Sequence, residues 1–373
     1  PEALDCRSLI TSRLIIGYKP QSIALVKGCF VGQFDGFTYH GLQFRGDNRV
    51  SLSVSKRMAR VKPSPTSAVL ALATRLRAEG RDIISLGTGE PDFDTPQFIK
   101  DAAIAAIHEG ETKYTPIDGT AELKAAVQAK FERENRLEYA VSDIIVTSGA
   151  KQALFNLCIG LLGPGDEAII PAPYWVSYPD MVKLAGAEPV IVSAGIEQHF
   201  RITADQLRAA ITPNTRLLIL NSPSNPTGTM IHQQELISLI EAVDAAGGRL
   251  IVDEIYQGLV YSEDELTALS FSNDVFVINS FSKYFGMTGW RLGWMVVPDE
   301  YVDAIDRVAQ NLFLAASTPA QYAALVAFDQ GTIEILDRRV AKFRERRDYL
   351  LPVLREMGFH LSLIHISEPT RPN

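Results

Sequence analysis

Lys283 stands between a pair of serines and a glycine-rich run, in the stretch "SFSKYFGMTGWRLGW" (residues 280–294). No acidic residue lies within four positions of it, and its small neighbours would let a backbone and a ligand approach closely. Arg291 follows eight residues later. A lysine whose ammonium is destabilised by a nearby cation can work as a neutral amine and form a Schiff base with a carbonyl. Asp253 ends the apolar run "RLIVD", where a carboxylate could keep a pyridine nitrogen protonated and make the ring an electron sink. Tyr256, three residues on, and Asn225 within "SPSNPTG" offer a phenol and an amide to an oxygen on such a ring.

A second group of residues suits an anion. "SGAKQ" opens a helix after the strand-like "DIIVT", so the N–H groups of Gly149, Ala150 and Lys151 are expected to be free for a phosphate. Arg291 could add a bidentate, charge-assisted bond to the same group. Trp175 or Tyr174 supplies an aromatic face on which a ring could stack. A phosphate, an aldehyde and a pyridinium together describe pyridoxal phosphate, which is the expected cofactor. Taken singly, each residue has a plainer reading. Lys283 could be a surface lysine, Asp253 a helix cap, Tyr256 and Trp175 core aromatics, and "SGAKQ" an ordinary helix start. The constellation argues against all of these at once.

The elements that must position these groups alternate. From about residue 85 to 299, short β-rich runs such as "DIIVTSG", "DEAIIPA", "EPVIVS", "RLLILN", "RLIVDE", "VFVINS" and "RLGWMVV" are interleaved with helical segments such as "AKQALFNLCIGLL" and "HQQELISLIEAVDAAGG". That pattern predicts an α/β fold with a mainly parallel sheet covered by helices on both faces. Ligands of such sheets lie beyond the carboxyl ends of the strands, where Asn225, Asp253, Tyr256, Ser280, Lys283 and the "SGAKQ" turn all fall. After Pro298 the pattern turns helical and ends in the charged run "IEILDRRVAKFRERRDYLLPVLREM". Its basic residues from Arg338 to Arg347 read as a solvated face with pairs along the helix.

These motifs, together with "GTGEPDFDTP", "KYTPIDGTAELK", "NSPSNPTG" and "DEIY", resemble those of class I aminotransferases of the aspartate aminotransferase family, fold type I. The resemblance covers about residues 55–360 and holds the family's motif order. It implies that Lys283 carries the cofactor Schiff base and shuttles the proton, and that Asp253 partners the pyridine nitrogen. Asn225 and Tyr256 would hold the ring oxygen, Trp175 would stack on the ring, and Ser280 and Arg291 would bind the phosphate. Tyr114 in "KYTP" resembles the tyrosine that reaches the neighbouring subunit's phosphate, which implies a homodimer. Gly89 in "GTGEP" resembles the glycine whose backbone meets the substrate carboxylate, with Trp175 and Asn225 also on the substrate side. The implied reaction moves an amino group from an L-amino acid, aspartate first, to a 2-oxo acid. Other chemistry on the same scaffold, a β-lyase or a decarboxylase, is the alternative.

Composition narrows the rest. The chain has 373 residues and a formal net charge of −8; no basic stripe is available to meet nucleic acid. No apolar run approaches the length of a membrane span. The three cysteines, Cys6, Cys29 and Cys158, show neither metal-ligand spacing nor a disulfide framework; Cys158 reads as a helix core residue, and a reducing cytoplasm is expected. The expected division is an extension, non-native or disordered, over 1–54, an arm and part of a small domain over 55–95, a large cofactor domain over 96–315, and the start of a smaller α/β domain over 316–360. "LSLIHISEPTRPN" (361–373) resembles a translated sequencing adapter, so the small domain is expected to be incomplete and the chain's activity reduced or lost. The family's C-terminal carboxylate-binding arginine finds no match, and Arg371 is given no such role.

Overall fold

Apolar runs of four to seven residues supply the strands of the central sheet. The computed structural model describes residues 54–84, 89–261 and 265–359, and the backbone of three earlier strands. Those strands, β1 (Ser22–Val26), β2 (Cys29–Phe34) and β3 (Phe37–His40), pair antiparallel in sequence order. They belong to a unit of their own, residues 1–54, which is the segment expected to be an extension. The tail over 361–373 lies outside the described residues.

In the second unit, residues 55–373, seven strands form one sheet in the order β4-β10-β9-β8-β7-β5-β6. They are β4 (Ile144–Thr147), β5 (Glu167–Ala172), β6 (Glu188–Ser193), β7 (Thr215–Asn221), β8 (Arg249–Asp253), β9 (Phe276–Ser280) and β10 (Gly293–Val296). Neighbours from β6 to β9 pair parallel, whereas β10 runs antiparallel to both β9 and β4. Only β10 is reversed, so the carboxyl ends of the other six strands and the amino end of β10 share one edge.

Alternation along the strands divides the core. Leu218, Leu220, Leu250, Val252, Val277 and Trp294 face one cluster, and Leu217, Ile219, Ile251, Phe276, Ile278 and Met295 the other. Strands buried on both faces must be apolar throughout, which is why these runs carry few polar residues until their ends. Helices α1 (Pro65–Ala78), α2 (Gln97–Glu109), α3 (Ala121–Asn135), α4 (Ala150–Leu161), α5 (Tyr178–Ala185), α6 (Ala204–Ala210), α7 (Gln233–Ala245), α8 (Asp299–Leu312), α9 (Thr318–Leu325) and α10 (Gln330–Glu356) follow. Residues of α4, α5 and α8 pack in the second cluster, and those of α3, α6, α7 and α9 in the first.

Local chemistry sets several helix starts. Thr203 and Gln206 form a reciprocal capping box at α6, and Thr120 accepts from the Leu123 N–H at α3. Cys158 is fully buried in α4 and its thiol is pushed up to about 12 by burial, as a core cysteine should be. The basic run of α10 departs from its expected role. Lys342 does pair along the helix with Glu345, but Arg346 donates to Asp92 at 2.7 Å, and Arg339 and Arg346 lie 5.2 and 5.1 Å from the Phe93 ring centroid. A guanidinium finds more by stacking on an aromatic face than by standing in water, so the run ties α10 to the segment that follows Gly89.

Candidate active site

The polar residues gather where the strands end. Register sets Asn221 opposite Asp253, and Gly293 opposite both Ser280 and Thr147, so these residues share one edge. Asn221 Nδ2 donates to the Asp253 carbonyl at 2.7 Å, and its Oδ1 accepts from the Asn225 N–H at 2.6 Å. That pair shapes the turn after β7 and aims Asn225 Nδ2 at the Tyr256 hydroxyl, 3.2 Å away. Lys283 Nζ donates to the Gly89 carbonyl at 2.5 Å and lies 5.3 Å from the Tyr256 ring centroid. The chain near Gly89 is held against the lysine turn by Thr95, whose hydroxyl donates to the Gly286 carbonyl at 2.7 Å, and by a bond from Thr288 to Glu90.

Asp253 is 3% exposed, and burial pushes its carboxyl up to about 6. Three effects oppose burial: a 2.8 Å hydrogen bond from the Tyr178 hydroxyl, the Ile255 N–H, and the charge of Lys283. Tyr178 was not singled out from the sequence, although its three-residue spacing from Trp175 across a helix start would place both rings on one side. The two rings meet edge to face at 5.4 Å, and Lys151 Nζ sits 5.4 Å from the Trp175 ring centroid. A buried aspartate, a lysine amine, an amide–phenol pair and an aromatic face are thus brought together.

The next residue, Glu254, turns to the opposite face and is 1% exposed. Burial pushes its carboxyl up to about 8, against hydrogen bonds from Ala268 N–H and Thr267. A folded-state value above the unfolded 4.5 means that the native chain holds the extra proton. Stability is therefore full below 4.5 and is lost as pH rises toward 8. The loss from this residue is on the order of a few kcal/mol. Melting curves at pH 5 and pH 8 should show the wild type losing stability with rising pH and Glu254→Gln losing clearly less. Parallel losses in the two proteins would remove Glu254 as the cause.

The other end of the site is the start of α4. Gly149 caps it at φ +87°, and a Cβ there would fall 2.8 Å from Arg291 Nη2. Gly293 leaves similar room, since its Cβ would meet the Asn279 carbonyl at 2.8 Å and Ala150 N at 3.0 Å. These two glycines let the helix start, β10 and the Arg291 guanidinium converge. One expectation is corrected: the Gly149 N–H is not free but donates to the Thr147 carbonyl at 2.8 Å, closing a tight turn about Ser148. Among the described residues nothing accepts from the N–H of Ala150 or Lys151, which stand open at the positive end of the helix. Arg291 is exposed and braced by a 3.0 Å bond from Nη1 to the Thr288 carbonyl. Ser280 is buried; its hydroxyl donates to the Leu292 carbonyl at 3.1 Å and accepts from the Ser282 N–H at 3.1 Å. Ser282, which the sequence reading passed over, presents its own Oγ 3.0 Å from that of Ser280. Open amides, a guanidinium and two hydroxyls fit a phosphate, and the Asp253 end fits a cationic ring nitrogen.

Tyr114 stays apart. It is 87% exposed, on the loop between α2 and α3, and takes no part in the cluster formed within this chain.

Known proteins carry the same pattern. The family model described as aminotransferase class I and II matches residues 81–368. An aspartate/prephenate aminotransferase of Nitrosomonas europaea is 44% identical over 319 residues, 84% of this chain and 80% of that protein. An aspartate aminotransferase of Bacillus subtilis is 42% identical over 314 residues, 83% of this chain and 80% of that protein. The solved aspartate aminotransferase of Thermus thermophilus with maleate superposes with a TM-score of 0.81 at 39% identity, covering 85% of this chain and 84% of that one. With that agreement in sequence and fold, the chain belongs to the class I and II aminotransferase family, and its cofactor is pyridoxal phosphate.

Proposed function

We propose that this aminotransferase takes an acidic L-amino acid, aspartate first, as amino donor and a 2-oxo acid as acceptor, with Lys283 as its proton-transfer residue. The observation that carries the assignment is the meeting of Lys283, Asp253, the Asn225–Tyr256 pair and the open start of α4 at one sheet edge. Pyridoxal phosphate, when bound, supplies an aldehyde that takes up the amino group and a ring that accepts the electrons of the substrate carbanion. Lys283 Nζ takes the proton from the substrate α-carbon and delivers it again. Asp253 Oδ keeps negative charge at the ring nitrogen, and Tyr178 holds that carboxylate in place. Asn225 Nδ2 and the Tyr256 hydroxyl would donate to the ring oxygen, and Trp175 would cover one ring face. Ala150 and Lys151 N–H, Arg291 and the Ser280–Ser282 pair would hold the phosphate. The Gly89 backbone stands beside Lys283 for the substrate carboxylate.

The acidic donor rests on two supports. The Thermus thermophilus relative was solved with maleate, a dicarboxylate. Lys151 also keeps its ammonium over Trp175 with no carboxylate partner among the described residues, a position open to a second substrate carboxylate. For a homodimer, the support is Tyr114: Lys113 accepts from the Thr318 hydroxyl at 2.6 Å and Thr115 from Gln321 Nε2 at 3.0 Å, so an exposed aromatic is presented on a loop pinned at both sides. We read 96–315 as the cofactor domain, flanked by an arm (55–95) and the start of a smaller domain (316–360). Among the described residues no helix is long and apolar enough to cross a membrane, and we place the enzyme in the cytoplasm.

The test is amino transfer from L-aspartate by the cofactor-loaded chain. Product formation that needs added 2-oxoglutarate, with glutamate appearing in equal amount, is the expected result. Release of product beyond one equivalent per site without any 2-oxo acid would replace this reading with a lyase or decarboxylase.

A further inference from the structure

Behind the catalytic turn lies a chain of buried amides that the mechanism does not use. Glu254 Oε2 accepts from Gln257 Nε2 at 2.6 Å, Gln257 Oε1 accepts from Asn279 Nδ2 at 3.0 Å, and Asn279 Oδ1 accepts from the Ser280 N–H at 2.7 Å. The Glu254 N–H donates to the Ile278 carbonyl at 2.8 Å and closes the ring. Glu254, Gln257 and Asn279 are only 1, 7 and 3% exposed. The first follows Asp253 directly, and the last precedes Ser280. The link therefore runs from the end of β8, which carries the ring-nitrogen carboxylate, to the start of the turn that carries Lys283.

Two considerations separate this link from ordinary core filling. Apolar side chains of equal size would fill the space with no desolvation cost, so buried amides here contribute orientation, each fixed by partners on both sides. Phe281 and Phe285 pack the turn against Trp294 and Phe328, but beside the amides the packing is open. Gln257, Asn279 and Tyr284 line a cavity of about 310 Å³.

We propose that Gln257 and Asn279 are positioning residues of the aminotransferase site: their paired amides lock the Ser280–Lys283 turn to the end of β8 and so set Lys283 relative to Asp253. The proposal rests on the roles given above to those two residues.

The experiment uses the full chain with Asn279→Ala, with Gln257→Met, which keeps volume and loses the amide, and with the double variant. Amide hydrogen exchange is measured first without cofactor. Each single variant should speed exchange at residues 280–284 about tenfold, the loss of one to two buried hydrogen bonds. Exchange in β5 and β6 should stay unchanged. The double variant should add little, because both changes cut the same link. Unchanged exchange at 280–284, or equal change in every strand, overturns the proposal. Pyridoxal phosphate is then titrated by visible absorption, with wild type and Lys283→Ala as controls. A roughly tenfold rise in Kd in both single variants, with the absorption band shifted from wild type, is the expected result. Faster exchange with unaltered affinity and band also overturns the proposal. Faster exchange in a protein whose wild type shows no Lys283-dependent band overturns the functional reading instead, while the bracing of the turn stands.

Discussion

Replacing Lys283 by alanine should leave a folded chain that transfers amino groups at least roughly 10⁴-fold more slowly than wild type. Proton transfer by a positioned group contributes about 10²–10⁴-fold by itself, and the variant also loses the amine that joins the cofactor covalently. A 10⁴-fold loss is about 5.5 kcal/mol of transition-state stabilisation. The fold has far less at stake. Lys283 is half-buried and gives the protein a bond to the Gly89 carbonyl and a contact with the Tyr256 ring. Removing such contacts costs about 1 kcal/mol. The two readouts therefore separate: a melting temperature within a few degrees of wild type, and no measurable single-turnover conversion of aspartate. Turnover by Lys283→Ala within tenfold of wild type would move the proton-transfer role to another residue.

The same residues show what sequence can carry. Six of the seven strands of the main sheet lie within the apolar runs and β7 begins one residue before its own; the inner strands are buried on both faces and must be apolar, whereas β6 is a partly exposed edge strand. The site was legible for a related reason: Asn225, Asp253, Ser280 and Lys283 are polar residues at or just beyond the ends of such runs. Direction was not legible. Nothing in "RLGWMVV" says that β10 runs against its neighbours, although that reversal brings Arg291 and Gly293 to the catalytic edge. The Gly149 N–H is expected to be free because helix starts leave amides open, yet it closes a tight turn onto the Thr147 carbonyl two residues back. Tyr178 and the Gln257–Asn279 pair were missed for a different reason. Their partners lie 75 and 22 positions away, and a long-range hydrogen bond leaves no periodic trace.

Removing the Asp253 carboxylate should separate stability from activity more sharply. Without the cofactor this group is ionised above about pH 6 at a desolvation cost that its hydrogen bonds do not fully offset, which is why its value is raised. Asp253→Asn keeps the shape and an oxygen for the Tyr178 hydroxyl while removing the charge. At pH 7.5 the cofactor-free variant sheds the buried charge but also loses the acceptor for the Ile255 N–H, and should melt within a few degrees of the wild-type temperature. Its amino transfer should nevertheless fall about 10²–10⁴-fold, since the charge opposite a buried ring cation contributes about 3–5 kcal/mol. Affinity for pyridoxal phosphate gives an independent check. In wild type it should fall as pH drops through about 6, where the carboxyl takes up its proton. The phosphate of the ligand titrates near the same pH, so the quantity to read is the difference between the two profiles. Asp253→Asn retains the phosphate's own dependence and lacks the additional fall. Superimposable profiles, or transfer by the variant within tenfold of wild type, would mean that the ring nitrogen is held by some other group and that the Asp253 assignment fails.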